Sequence, residues 1–126
     1  MKKIIHWVPP LFVMLLIFRL SSQPRFTATG EPLEDFLIFK LLHMCEYGLL
    51  AALLFNALYN TFVQKLLPAI RYAGIIAILY AMTDEFHQVF VPTRSGTIRD
   101  VGIDGLGIFI MLYLISKTMR SQKARK

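Results

Sequence analysis

Four apolar stretches, at about residues 4–20, 36–58, 72–90 and 98–116, account for most of this 126-residue chain. A hydrocarbon core of about 30 Å takes roughly twenty helical residues to cross, and in lipid a helix satisfies its own backbone. The chain therefore reads as all-α: a polytopic membrane protein with four transmembrane helices in one domain, 1–126, ending in a basic tail at 117–126. A hydrophobic content of 56% with mean hydropathy +0.54 excludes an ordinary soluble domain.

The first stretch follows Met1-Lys2-Lys3, as a signal peptide would, but Arg19-Leu20-Ser21-Ser22-Gln23 lacks a small-x-small cleavage site. It is kept as a spanning helix, with Pro9 and Pro10 near its start, where missing N–H donors matter least. The single Cys45 lies in an apolar run, which leaves no intrachain disulfide and no thiolate metal cluster.

Orientation follows from the basic residues. With both termini cytoplasmic, the inner segments carry Lys2, Lys3, Lys65, Arg71, Lys117, Arg120, Lys123, Arg125 and Lys126 and no acidic residue, as the positive-inside rule requires. The outer segments mix Arg19, Arg25, Arg94 and Arg99 with Glu31, Glu34, Asp35 and Asp100. Trp7, Tyr59, Tyr72 and Tyr113 fall near the inner boundary, where amphipathic rings prefer to sit. The net charge of +6 is thus a matter of topology and attraction to anionic lipid, and no nucleic-acid partner is expected. The inner link around 60–70 is short, with Pro68 expected to end its turn, and the outer segment 21–35 is the longest.

On this threading Lys40, His43, Glu46, Asp84, Glu85 and Asp104 all fall toward the outer side of the bilayer. Ionisable groups inside hydrocarbon must be paired or hydrated, so such a concentration marks a functional site. At 100° per residue, Lys40, His43 and Tyr47 share an arc of about 60°, with Glu46 about 60° beyond His43. On the third helix Gln88 is one turn from both Asp84 and Glu85 and can bridge to either. The fourth begins with Asp100 and Asp104 on one face, after a loop that brings Arg94 and Arg99. Thr97, three residues before Asp100, has the spacing of an N-terminal capping box, although Asp is short for that role.

Lys40-x-x-His43-x-x-x-Tyr47, then Asp84-Glu85-x-x-Gln88-x-Phe90-x-Pro92-x-Arg94, then Asp100-x-x-x-Asp104-x-x-Gly107, resembles the VanZ-like family of small bacterial membrane proteins. The match runs from Lys40 to about Gly107. Phe39 stands where that family often has an Asp before the first Lys, so that carboxylate is absent here or its role falls to another residue such as Glu46. The resemblance implies a bacterial cytoplasmic-membrane location and, through the founding members, a link to resistance against the glycopeptide teicoplanin.

Plainer readings exist for several of these residues. Lys40, Arg19, Arg25 and Arg99 lie near helix ends, where snorkelling to the interface is the simplest account. Asp100 also reads as a helix cap, His43 alone as a hydrogen-bonded packing residue, and Gly102, Gly105 and Gly107 as helix contacts. The adjacent carboxylates Asp84 and Glu85, roughly 10 Å below the outer boundary at 1.5 Å per residue, are hardest to explain as structure alone.

Three function classes compete. In a recognition site, Lys40, Arg94 and Arg99 hold a lipid-linked cell-wall precursor or an anionic lipid, while Asp84, Glu85 and Gln88 orient the cations or accept hydrogen bonds. In an enzyme on such a substrate, Glu85 or Asp84 is the base and His43 the acid or base. A proton-coupled carrier needs buried carboxylates, yet four helices polar only in the outer half leave no second gate. No cofactor is required. A divalent metal held by Asp84, Glu85, Asp100 and Asp104 stays open, although no tight ligand spacing stands in the sequence. Oligomeric state is not specified. Recognition is the favoured reading, with catalysis second.

Overall fold

The computed structural model describes residues 3–24 and 28–125, and every regular element in them is helical. Lys2, Arg25 and Lys126, which entered the charge pattern, lie outside the described residues. A 3₁₀ turn, Ile4–Trp7, runs into α1, Val8–Ser21, with Pro9 and Pro10 in its first turn. There the absent N–H has no intrahelical acceptor to lose. α2, Pro32–Leu58, opens on Pro32 and carries Glu34 and Asp35 in its first turn, where the positive end of the helix dipole favours carboxylates.

α2 continues as a π-helical turn, Tyr59–Val63, and Gln64 then reverses the chain in the left-handed region at φ 48°. α3, Leu66–Gln88, starts after Lys65. The inner link is therefore two residues, Gln64 and Lys65, much shorter than the 60–70 span expected. Pro68 does not end the turn: it sits inside the first turn of α3, a position that tolerates proline as well as a loop does. α4, Ile98–Ala124, runs past 116 through most of the basic tail, because Lys, Arg and Gln are good helix formers.

Three segments, Ile4–Ser21, Pro32–Val63 and Leu66–Gln88, are long and apolar enough to cross a bilayer. The chain is a multi-pass membrane protein. α4 has the length, but Arg99, Asp100 and Asp104 occupy its first two turns and Lys117, Arg120 and Lys123 its last part. Leu11, Phe12, Leu15, Leu79, Phe86 and Phe109 remain exposed, as side chains bathed in lipid do.

α2 packs most extensively on α4, α3 packs against both, and α1 rests on α2 with a smaller contact to α3. Two sequence devices make this close. Ala69, Ala73, Ala77 and Ala81 are completely buried at four-residue intervals along one face of α3, so its backbone approaches its neighbours closely. On α2 and α4, a Cβ at Gly48 would stand 3.2 Å from the Gly107 carbonyl oxygen, and one at Gly107 would strike the Met44 carbonyl. Of the glycines expected at helix contacts, Gly105 also faces a neighbour, Ile78, whereas Gly102 faces open space.

Candidate functional site

The ionisable residues gather at the end of the bundle where α1 and α3 finish and α2 and α4 begin. α2 and α4 run in parallel, and their backbone crossing at Met44, Gly48 and Gly107 sets the spacing of everything beside it. His43 is next to Met44 and Asp104 one turn before Gly107, so the crossing brings His43 Nδ1 to 3.9 Å from Asp104 Oδ1. One turn nearer the helix starts, Lys40 Nζ lies 2.6 Å from Asp100 Oδ2. The polar stripe of α2 therefore meets the two aspartates of α4 rung by rung.

α3 supplies the third wall. The backbone N–H of Thr97 donates to Glu85 Oε2 at 3.0 Å, and Gly96 lies so close to the Glu85 carbonyl that a Cβ there would collide with it. The Thr97 hydroxyl meanwhile accepts from the Asp100 N–H at 3.3 Å. This is a capping box divided between two helices: Asp100 is too short to reach back to the cap, and Glu85 of α3 takes that N–H instead. The Asp100 carboxylate is thereby left to Lys40.

Asp84 is turned to other partners in the same cluster. Its Oδ2 accepts from Ser21 Oγ at 2.9 Å and from Gln88 Nε2 at 3.0 Å. Gln88 thus bonds the carboxylate four residues before it, and Glu85 is taken by Thr97. Tyr47 is wholly buried, its ring stacked on His43 at 6.5 Å between centroids and its hydroxyl facing Asp84 and Asp104.

The arginines are held at the edge of the site. Arg94 donates from Nε to the Gln23 carbonyl at 2.8 Å and from Nη2 to the Leu20 carbonyl at 2.9 Å, closing the end of α1, where the last carbonyls lack helical donors. Arg99 is 70% exposed in its side chain, stacks over Phe36 at 5.3 Å and only approaches Asp100, at 3.9 Å. The loop before α2 is fastened by Asp35, which accepts from the Ala28 and Thr29 N–H groups and the Thr29 hydroxyl.

Between α1 and α2 a cavity of about 160 Å³ opens beside this cluster, lined by Leu20, Ser21, Phe39, Leu42, His43, Glu46 and Arg94 together with Gln23 and Pro24. Half-buried Glu46 faces it, in electrostatic range of Arg94 and Asp84.

The acidic side chains of this end are deeply buried. Asp84, Glu85, Asp100 and Asp104 are all at least nine-tenths buried, and Lys40 is the ammonium paired among them. Among the described residues, the Tyr47 hydroxyl and Asp84 engage each other, which leaves Asp100 Oδ1 and Asp104 Oδ2 as buried side-chain oxygens without a hydrogen-bond partner. Both belong here. A packed interior satisfies such groups, so orphans confined to one cluster identify where a partner is owed.

The VanZ/LLP1 family model matches residues 1–120. The chain belongs to the VanZ/LLP1 family. No curated protein and no solved structure matches it significantly. The matched span contains every residue of the cluster in this VanZ/LLP1 member.

One group in it has the composition of a metal site. A nitrogen of His43 and one carboxylate oxygen each of Glu85 and Asp104 lie within 4.8 Å of one another. This set differs from the four carboxylates expected: Asp84 is turned to Ser21 and Gln88, Asp100 to Lys40, and His43 takes their place. Sequence reasoning missed Ser21, which at the end of an apolar helix reads as a boundary residue. It also missed Tyr80, whose hydroxyl donates to the Met14 carbonyl at 2.6 Å and ties α3 to α1. No local pattern distinguishes either from filler.

Proposed function

We propose that this chain is a four-helix protein of the bacterial cytoplasmic membrane with both termini in the cytoplasm. Its polar end faces the outer leaflet and recognises a lipid-linked or anionic cell-envelope ligand. The observation that carries this reading is the cavity between α1 and α2, whose walls are apolar at Leu20, Pro24, Phe39 and Leu42 and ionic at His43, Glu46 and Arg94. Such a lining suits an amphiphile whose chain lies along the helices and whose head group meets the charged residues. The family resemblance adds a connection to teicoplanin, which acts on exposed cell-wall precursors.

The roles differ from those an arginine-based phosphate clamp would assign. Lys40 is neutralised by Asp100, and Arg99 lies at the rim. Arg94, which lines the cavity while it holds the Leu20 and Gln23 carbonyls, brings a guanidinium charge toward an anionic head group. Glu46 and His43 are placed to take hydroxyl, amide or ammonium groups of the same ligand.

The test is binding of phosphatidylglycerol and of a polyprenyl phosphate to the purified protein in nanodiscs, with native mass spectrometry of the lipid retained. Arg94→Lys should weaken binding of the preferred lipid by about 1–3 kcal/mol, the range for a charge-assisted hydrogen bond. Because Arg94 also closes α1, thermal stability is measured on the same samples. A folded Arg94→Lys protein that retains lipid like wild type removes the recognition reading.

A second reading is favoured by the side-by-side placement of His43, Glu85 and Asp104: acid/base hydrolysis or transfer on the same class of lipid. Glu85→Gln separates the two. In an enzyme it abolishes turnover while lipid binding persists, whereas in a recognition site binding and the drug-susceptibility phenotype decline together.

A further inference from the structure

We propose that His43, Glu85 and Asp104 form a binding site for one divalent first-row transition ion, coordinated by one imidazole and two carboxylates from three different helices. One donor atom of each lies within 4.8 Å of the others, and His43 Nδ1 already stands 3.9 Å from Asp104 Oδ1. Donors about 2.1 Å from a shared ion are roughly 3–3.5 Å apart, so small rotamer adjustments draw all three onto one centre. Ligands projecting inward from separate helices at one level are how helical bundles build metal centres.

A second observation, independent of donor spacing, points the same way. Asp104 is almost fully buried, and among the described residues its Oδ2 has no hydrogen-bond partner. The neighbouring Tyr47 hydroxyl is engaged by Asp84 and does not satisfy it. An ion at this centre meets the demand of the buried Asp104 carboxylate directly.

Charge completes the argument. Asp84, Glu85, Asp100 and Asp104 are buried close together with the Lys40 ammonium on Asp100, and carboxylates in a membrane interior need cations beside them. Two carboxylates and a neutral imidazole around a divalent ion make a group with no net charge. The mixed nitrogen and oxygen set selects Mn²⁺, Fe²⁺ or Zn²⁺ over Mg²⁺ or Ca²⁺, which take oxygen ligands. Three protein ligands leave coordination positions open, as in metal centres that bind a further group.

The structure fixes the three ligands by devices already described. The Gly107 contact with Met44 sets the His43 to Asp104 spacing, and the Thr97 N–H holds one Glu85 oxygen, which orients the other. This inference goes beyond the lipid reading and does not rest on it: Glu85 and Asp104 lie outside the lining of the α1–α2 cavity, and His43 alone is shared with it. Loss of one reading leaves the other standing.

The test uses the full chain in nanodiscs, stripped with a chelator and titrated with Mn²⁺ alone. Elemental analysis should give one ion per chain, and pulsed electron paramagnetic resonance should show coupling to one imidazole nitrogen. His43→Gln and Asp104→Asn should each weaken Mn²⁺ binding by at least about 100-fold, beyond the usual effect of a residue that only orients a ligand. Glu34→Gln, an exposed carboxylate at the same end, should leave it unchanged. Zn²⁺ should displace Mn²⁺ and raise the melting temperature of the wild type. Binding well below one ion per chain, an ion without nitrogen coupling, or folded ligand variants binding like wild type would each overturn the proposal. Should a variant fail to fold, the nitrogen coupling in the wild-type protein decides alone.

Discussion

At the scale of single residues, the Lys40–Asp100 pair shows how the site end is kept together. The ammonium and carboxylate are 2.6 Å apart with side chains 13% and 7% exposed, so removing one partner leaves the other charged and nearly dry. Lys40→Met should therefore destabilise the protein by about 3–5 kcal/mol, the range for breaking a buried pair, measured by reversible unfolding in mixed micelles. Adding Asp100→Asn should recover most of that loss, because both charges are then gone. A simple snorkelling lysine would instead show only a small change in the single variant and none on adding the second. The sequence placed Lys40 on the polar stripe of α2 but could not pair it, since contact between α2 and α4 depends on two glycines far apart in the chain meeting backbone to backbone: Gly48 and Gly107.

At the scale of elements, α1 is the least embedded helix of the four, and polar clasps supplement its packing. Tyr80 bonds the Met14 carbonyl, Ser21 bonds Asp84, and Arg94 closes the Leu20 and Gln23 carbonyls. Ser21→Ala should cost about 1–3 kcal/mol, the penalty for depriving the buried Asp84 of a donor, and should speed hydrogen exchange in α1 before the other helices. Uniform exchange across all four would show that α1 does not loosen as a unit. The apolar lengths and the breakers around Gly30 and Pro32 made the helices legible, because lipid permits few other structures. Their ends were less so. Pro68 marks a boundary only by propensity, and the first turn of α3 accommodates it; the tail beyond 116 is polar, which ends an apolar pattern without ending a helix. The site's elements were legible in the same partial way. Helical spacing put Lys40, His43 and Tyr47 on one face of α2, but the assignment of Glu85 to Thr97, Asp84 to Ser21 and Arg94 to α1 depends on tertiary approach that no local period encodes.

At the scale of the whole molecule, polarity runs from one end of the bundle to the other. Buried carboxylates gather where α2 and α4 begin, while Lys3, Lys65, Lys117, Arg120 and Lys123 mark the opposite end. There the Lys3 ammonium and the Trp7 indole reach Thr61 of the π-helical turn, so the start of the chain is packed against the α2–α3 reversal. Lysine and arginine are retained on the cytoplasmic side during insertion, and the short links leave little chain through which another topology could be reached. Both termini should therefore be cytoplasmic, with the loop before α4 outside. Gly96 is a poor reporter position, because any side chain there strikes the Glu85 carbonyl and disturbs the site under test. Ser95, exposed in the same loop, is the better one, once the native Cys45 is replaced by alanine to remove background labelling. In a Cys45→Ala background, Ser95→Cys should react with a membrane-impermeant maleimide on intact cells. A cysteine at the exposed Lys65, in the inner reversal, should react only after the membrane is opened. Reaction at Lys65→Cys but not at Ser95→Cys on intact cells would invert the molecule, place the carboxylate cluster at the cytoplasmic leaflet, and end the outer-leaflet reading whatever the cluster binds.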